Sequence, residues 1–231
     1  MPKVTFGYDI HKDAWSWVLI AQDKDCWGLD WKNQVMHIPH DLLQQIEKKS
    51  ESKAIQLVKS HLGNNKYRNF KNEIIKTEIQ ATERSWKFVE DKYFSILHSI
   101  TKKPIYQKAF PAYFTTGFMC PYNTDEKPHW FMISVWRSLP DSITTIAHEI
   151  FHLQFINYWK ETVKKKLGEE KFEDLKEALT FLLNENEFDN IILSEDKGYP
   201  NHQKLRGQFS KLWRKNRNFQ ELIDTGIKML S

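Results

Sequence analysis

The chain has little of what holds a small or coreless protein together. Among 231 residues there are 2 cysteines, Cys26 and Cys120, far apart and in no CxxC pair. That spacing argues against a thiolate zinc site, and both are read as reduced, buried thiols rather than a disulfide. Glycine and proline number 8 each, too few for a linker-rich or disordered chain. No apolar run approaches the ~18 residues that cross a bilayer, so no membrane association is expected. The stretch Met1-Pro2-Lys3-Val4-Thr5-Phe6-Gly7 lacks the apolar segment of a secretory signal, which makes cytoplasm the expected compartment. Internal repeats and low-complexity segments are missing too. A net charge of +4 is mild and does not by itself point to nucleic acid, which usually needs a concentrated patch.

What remains is the composition of a core-forming chain. Hydrophobic residues make up 40% and charged residues 28%, with 9 Trp and 15 Phe available to fill an interior or line a groove. The length suits a single domain over 1–231, in which 1–103 reads as a possible strand-plus-helix subdomain and 104–231 as the core.

Alternation of Val4, Phe6, Tyr8 and Ile10 with polar or small residues predicts a half-buried strand. Ala14 to Ala21, rich in Trp, Val, Leu and Ile, predicts a second, and Val35 to Ile38 a short third. Pro39 and Asp41 open a helix that the pattern carries to Leu62, with Gly63-Asn64-Asn65 as its stop. A long helical pattern from Asn69 to Ile100 has an aromatic and aliphatic stripe, read as a packed face rather than a ligand surface. Ile105 to Met119 looks extended, and Cys120 to Pro128 reads as a loop. Trp130 to Trp136 is the strongest strand candidate. Ser138-Leu139-Pro140-Asp141 then has the form of a helix start, with Ser138 as cap and Pro140 in the first turn. Basic residues at Lys164-Lys165-Lys166, followed by Gly168, close that helix. A further helix covers Glu169 to Leu183, a polar loop Asn184 to Asn201, and a last helical pattern His202 to Leu230. The fold class expected is α+β, a small mixed sheet packed on the Ser138 helix with a largely helical remainder.

That helix carries His148-Glu149-Ile150-Phe151-His152, an HExxH sequence. Histidines four apart lie one turn apart on one helical face and can share a divalent cation, while the intervening glutamate addresses a water on it. A tetrahedral catalytic zinc needs a third protein ligand. The extended form HExxHxxGxxH is ruled out, because Phe155 and Tyr158 occupy its glycine and last histidine positions. Glu177 has 24 residues between it and His152, enough for the first helix to end, turn at Gly168 and be followed by a second helix packing back. Glu173, one turn earlier, competes with it.

In these features, over about Trp130 to Asn184, the chain resembles the gluzincin branch of the zincin metallopeptidases, with HExxH followed by a glutamate on the next helix. The resemblance implies a zincin-like fold, zinc bound by His148, His152 and Glu177, and Glu149 as general base in the hydrolysis of peptide bonds. It also implies that an edge strand lies beside the substrate, a place that Trp130 to Trp136 fits. Some gluzincins brace the first histidine with an Asp four residues after the glutamate; here that position is Phe181. An oxyanion donor is expected as well, and Tyr199 and His202, in the loop after the glutamate helix, are its candidates.

The expected partner is a peptide or protein substrate. A second reading is a nucleic-acid-binding or regulatory module, since Lys204, Arg206, Lys211, Arg214, Lys215 and Arg217 give the last helical stretch six basic residues. A third is a metal-binding scaffold without catalysis.

Overall fold

Three parallel strands, drawn from distant parts of the chain, place the first residues in the same sheet as the last strand before the HExxH helix, with one strand between them. In the computed structural model, which describes residues 2–22, 27–36, 38–64 and 68–231, the sheet order is β1 (Lys3–Tyr8), β2 (Ala109–Thr115), β4 (Trp130–Ser134) and β3 (Tyr122–Asn123). β1 pairs with β2 and β2 with β4 in parallel, while the short β3 runs antiparallel to β4. Parallel neighbours need crossovers: the helices between residues 10 and 101 supply the one from β1 to β2, whereas residues 116–129, which hold β3 and no helix, supply the one from β2 to β4. All five β4 residues are buried, which explains a run of Trp, Phe, Met and Ile without polar alternation.

β4 is not the edge strand that its sequence suggests. β3 occupies its outer side: Tyr122 pairs with Phe131 and Asn123 with Trp130, and the Met132 N–H donates to Pro121 O at 2.9 Å. Cys120 Sγ accepts from the Ser134 N–H at 3.3 Å.

The second expected strand is a helix, α1 (Ile10–Gln22). Asp9 Oδ1 accepts from the backbone N–H groups of His11 and Lys12, at 2.7 and 3.1 Å, so it caps the start. The β-rich run misleads because α1 is covered on two sides: Ala14, Val18 and Ala21 join one apolar cluster, while buried Asp13 and Ser16 bond Thr115 and Thr116 at the end of β2. The third expected strand is instead a π-helical turn at Trp31–Val35, with Asp30 as cap, and His37 lies outside the described residues.

Three expected long helices are pairs. α2 (His40–Glu47) and α3 (Glu51–Asn64) replace the first, with Gly63 inside α3 and Asn65 outside the described residues. α4 (Arg68–Trp86) and α5 (Glu90–Thr101) replace the second. Glu90 Oε1 at that break accepts from Trp86 Nε1 at 3.0 Å and from the Val4 N–H at 2.7 Å, tying both helices to β1. α8 (Gln203–Asn216) and α9 (Phe219–Leu230) replace the last, where Arg217 turns left-handed at φ +49° and Asn218 caps the next helix.

α6 (Leu139–Leu167) is the axis of the molecule. Ser138 caps it by accepting from the Asp141 N–H, and Gly168, at φ +81°, donates to Lys164 O and ends it. At 29 residues it is about 44 Å long, and nearly every residue from Ser142 to Ile156 is buried. Sheet, α4, α7 (Glu169–Leu179) and α9 pack around it. The molecule is thus α+β and mostly helical, with a small four-stranded mixed sheet. None of its described helices is long and apolar enough to cross a membrane. Cys120 is a free thiol; Cys26 lies outside the described residues.

Candidate metal centre

The turn at Gly168 sends α7 back along α6, so that Glu177 meets the two histidines. Successive turns of α6 present His148 and His152, whose ring centroids are 4.2 Å apart. Glu177 Oε1 lies 3.1 Å from His152 Nε2, and Glu177 Oε2 lies 3.5 Å from His148 Nε2. One ligand atom from each of the three falls within 4.8 Å of the others. Glu173 points away, its carboxylate 2.5 Å from Lys176 Nζ.

Several of these buried atoms lack hydrogen bonds. Both ring nitrogens of His152, Oε2 of Glu177 and Oε2 of Glu149 have no aligned partner, although His152 Nε2 and Glu177 Oε1 are close. Buried polar atoms are costly when unsatisfied, and His152 Nε2 and Glu177 Oε2, both beside His148, are placed so that a shared cation would satisfy them. The donor set of two imidazoles and one carboxylate suits zinc.

The charge states fit as well. Burial lowers His152 to a pKa of about 3, leaving a neutral imidazole. Burial acts to raise Glu177, but His152, the Lys176 cation and His148 outweigh it and hold the carboxylate well below its usual range. Lys176 is 2% exposed and places Nζ 2.7 Å from Tyr122 Oη, 2.5 Å from Glu173 Oε2 and 3.2 Å from Glu177 Oε1. Burial pushes His148 down, yet Asp196, Glu177 and Glu149 carry it well above the ordinary value. A cation at His148 would therefore displace a proton. Burial, reinforced by Glu177, raises Glu149 to about 7.

His148 is braced from a loop rather than from α7. Its Nδ1 lies 2.9 Å from Asp196 Oδ2. Asn184 clasps the Asp196 backbone by donating to its carbonyl and accepting from its N–H, at 2.9 and 2.8 Å. Buried Arg206 donates to Asp196 O at 2.5 Å and to Thr180 Oγ1 at 2.7 Å. Phe181 is buried against Phe209 instead. No spacing rule leads to Asp196 from the sequence. Only its place in a polar loop that also carries Gly198 hints at it.

His148 and Glu149 open onto a cleft of about 660 Å³, walled by Leu29, Trp31, Met119 and Cys120 on one part and by residues 195–199 on another. Neither a protein-family model, nor a curated protein, nor a solved structure matches the chain.

Of the two candidate oxyanion donors, Tyr199 lines the cleft. His202 is turned elsewhere: it is buried, with Nε2 3.0 Å from Asp174 Oδ1 and its ring beside Trp27 and Tyr199. The six basic residues of the last helical stretch do not form one free face. Arg206 is buried on Asp196, and the exposed Arg214 and Arg217 pair with Glu185 and Glu187, which leaves Lys204, Lys211 and Lys215 as the exposed members without an ion pair among the described residues.

Proposed function

We propose that this chain is a zinc-dependent metallopeptidase of the gluzincin type, acting on peptide bonds. The observation that carries the reading is the convergence of His148, His152 and Glu177, the last two with unsatisfied buried atoms, beside a buried glutamate at the floor of a cleft. The order of elements supports a zincin-like arrangement: mixed sheet, HExxH helix, then glutamate helix. Zinc held there would supply Lewis acidity, polarising the scissile carbonyl and acidifying a water.

The protein's own residues do the rest. Glu149 takes the proton of the attacking water, then delivers it to the leaving amine. Asp196 holds the His148 ring through Nδ1, so that Nε2 faces the site. Lys176 fixes and partly neutralises Glu177. Tyr199, from the cleft wall, is the group we assign to the developing oxyanion. Because β3 covers the outer side of β4, an extended substrate would align along the 120–123 segment rather than on β4 itself.

Metal analysis tests the ligands. Wild type should hold about one equivalent of zinc, His148→Ala and Glu177→Ala should lose it, and Glu173→Ala should keep it. Zinc retained by Glu177→Ala would remove that ligand. Glu149→Gln should keep the metal and lose about 10²–10⁴ in the rate of peptide hydrolysis. An unchanged rate would remove Glu149 from the mechanism.

A further inference from the structure

Arg137 is a cation of the cleft with no direct ion pair among the described residues, although Cys120, Glu149 and Asp141 lie near enough to act on its charge. Arg137 stands between β4 and α6, its backbone N–H donating to Ser134 O at 3.2 Å. Its Nε donates to Cys120 Sγ at 3.4 Å, and the same sulfur accepts from the Ser134 N–H at 3.3 Å. The guanidinium is thereby anchored at its root. Among the described residues, its two terminal nitrogens make no hydrogen bond and its charge forms no ion pair. Of the acids lining the cleft, Asp141 bonds Ser138 and Ser194, Asp196 bonds His148 and Arg206, and Glu195 is exposed and makes no ion pair with Arg137 among the described residues. Glu149 shares the cleft without pairing with it. A half-buried guanidinium presents a rigid fork of donors that matches a carboxylate in a bidentate pair.

The wall beside it is apolar. Leu29, Trp31 and Met119 line the same cleft, and Trp31 is buried. We propose that Arg137 is a specificity-determining residue that receives a substrate carboxylate, with the residue bearing it packed against Leu29, Trp31 and Met119. The carboxylate is either the free end of a peptide or an acidic side chain. As a substrate subsite this deepens the peptidase reading and rests on it, whereas the binding chemistry can be measured without turnover.

The test uses the zinc-supplemented full chain and three probes: N-acetyl-leucine, N-acetyl-leucinamide, and N-acetyl-glutamate with its α-carboxyl amidated. Binding is followed by tryptophan fluorescence. At least one acid should bind about tenfold tighter than the neutral amide, and the stronger acid names the source of the carboxylate. Arg137→Gln should abolish the preference while keeping the wild-type zinc content, and Arg137→Lys should retain part of it. In peptide hydrolysis, Arg137→Gln should raise KM more than it lowers kcat. Equal binding of acids and amide by wild type would overturn the subsite, and this comparison needs no variant to fold. So would an acid preference that survives Arg137→Gln. If the preference is present but no peptide is cleaved, the peptidase reading fails and the anion site stands.

Discussion

Replacing Lys176 by methionine should separate the charge of this lysine from its bulk. Methionine keeps an unbranched stem of similar length, so the substitution leaves packing largely intact and removes the ammonium. That ammonium is almost wholly buried and touches three oxygens, those of Tyr122, Glu173 and Glu177, at 2.5–3.2 Å. Its loss strands the buried Glu177 carboxylate; Glu173, partly exposed, can turn to water. Removing one partner of a buried ion pair typically costs about 3–5 kcal/mol. In a domain of this size each kcal/mol moves Tm by ~2–4 °C, so the chelator-treated variant should melt roughly 6–20 °C below wild type. Zinc supplies the missing positive charge to Glu177, so the deficit should shrink when both proteins are melted in excess zinc. By linkage, a smaller deficit in zinc means tighter zinc binding by the variant's native state. A double-mutant cycle with Glu173→Gln would isolate the Lys176–Glu173 coupling. A variant that melts within about 2 °C of wild type in chelator would refute the claim that Lys176 offsets a buried charge. An equal deficit with and without zinc would refute the link to the metal centre.

Two further outcomes follow from the supports around the site. Gly198 has φ +60°, and a Cβ there would stand 2.7 Å from Arg206 Nη1 and 2.8 Å from its Cζ. Gly198→Ala should therefore cost about 1–3 kcal/mol and, by loosening Asp196, weaken zinc binding roughly 10–100-fold; a variant with wild-type melting and zinc affinity would contradict this. Asp13 is fully buried, and burial raises its pKa above 3.8 despite bonds from Thr115, Thr116 and Tyr8. A raised carboxylate pKa means the folded state holds that proton more tightly, so Asp13's contribution is greatest below 3.8 and declines as pH rises toward the folded value. The Tm of wild type minus that of Asp13→Asn should fall between pH 4 and 8, and a flat difference would count against it.

How far the sequence reveals this molecule depends on whether a residue acts locally. Ser138, Pro140 and Gly168 define α6 by bonds within one or two turns, so its bounds are readable from order alone. Glu177 follows from the same logic, since a turn at Gly168 and a second helix constrain its distance from His152. Asp196 acts on His148 from 48 positions away through a loop held by Asn184 and Arg206, and nothing local announces it. α1 was hidden by composition: its β-branched and aromatic run is helical because Asp9 caps it and because buried polar contacts occupy one side. The breaks at Glu90 and Arg217 escape periodicity for a different reason. The apolar spacing continues across each turn, while the bonds that interrupt the helix come from β1 in one case and a left-handed residue in the other.

The cleft is built by four separate stretches of the chain, around 29–31, 119–120, 137–149 and 195–203. Its floor comes from α6, with Asp196 bracing it from a later loop, whereas part of its rim is Leu29 and Trp31, from a stretch more than a hundred positions upstream. That rim carries none of the three candidate ligands. Exchanging side chains at 29 and 31 therefore reshapes the rim of the cleft without changing any of the three candidate ligands.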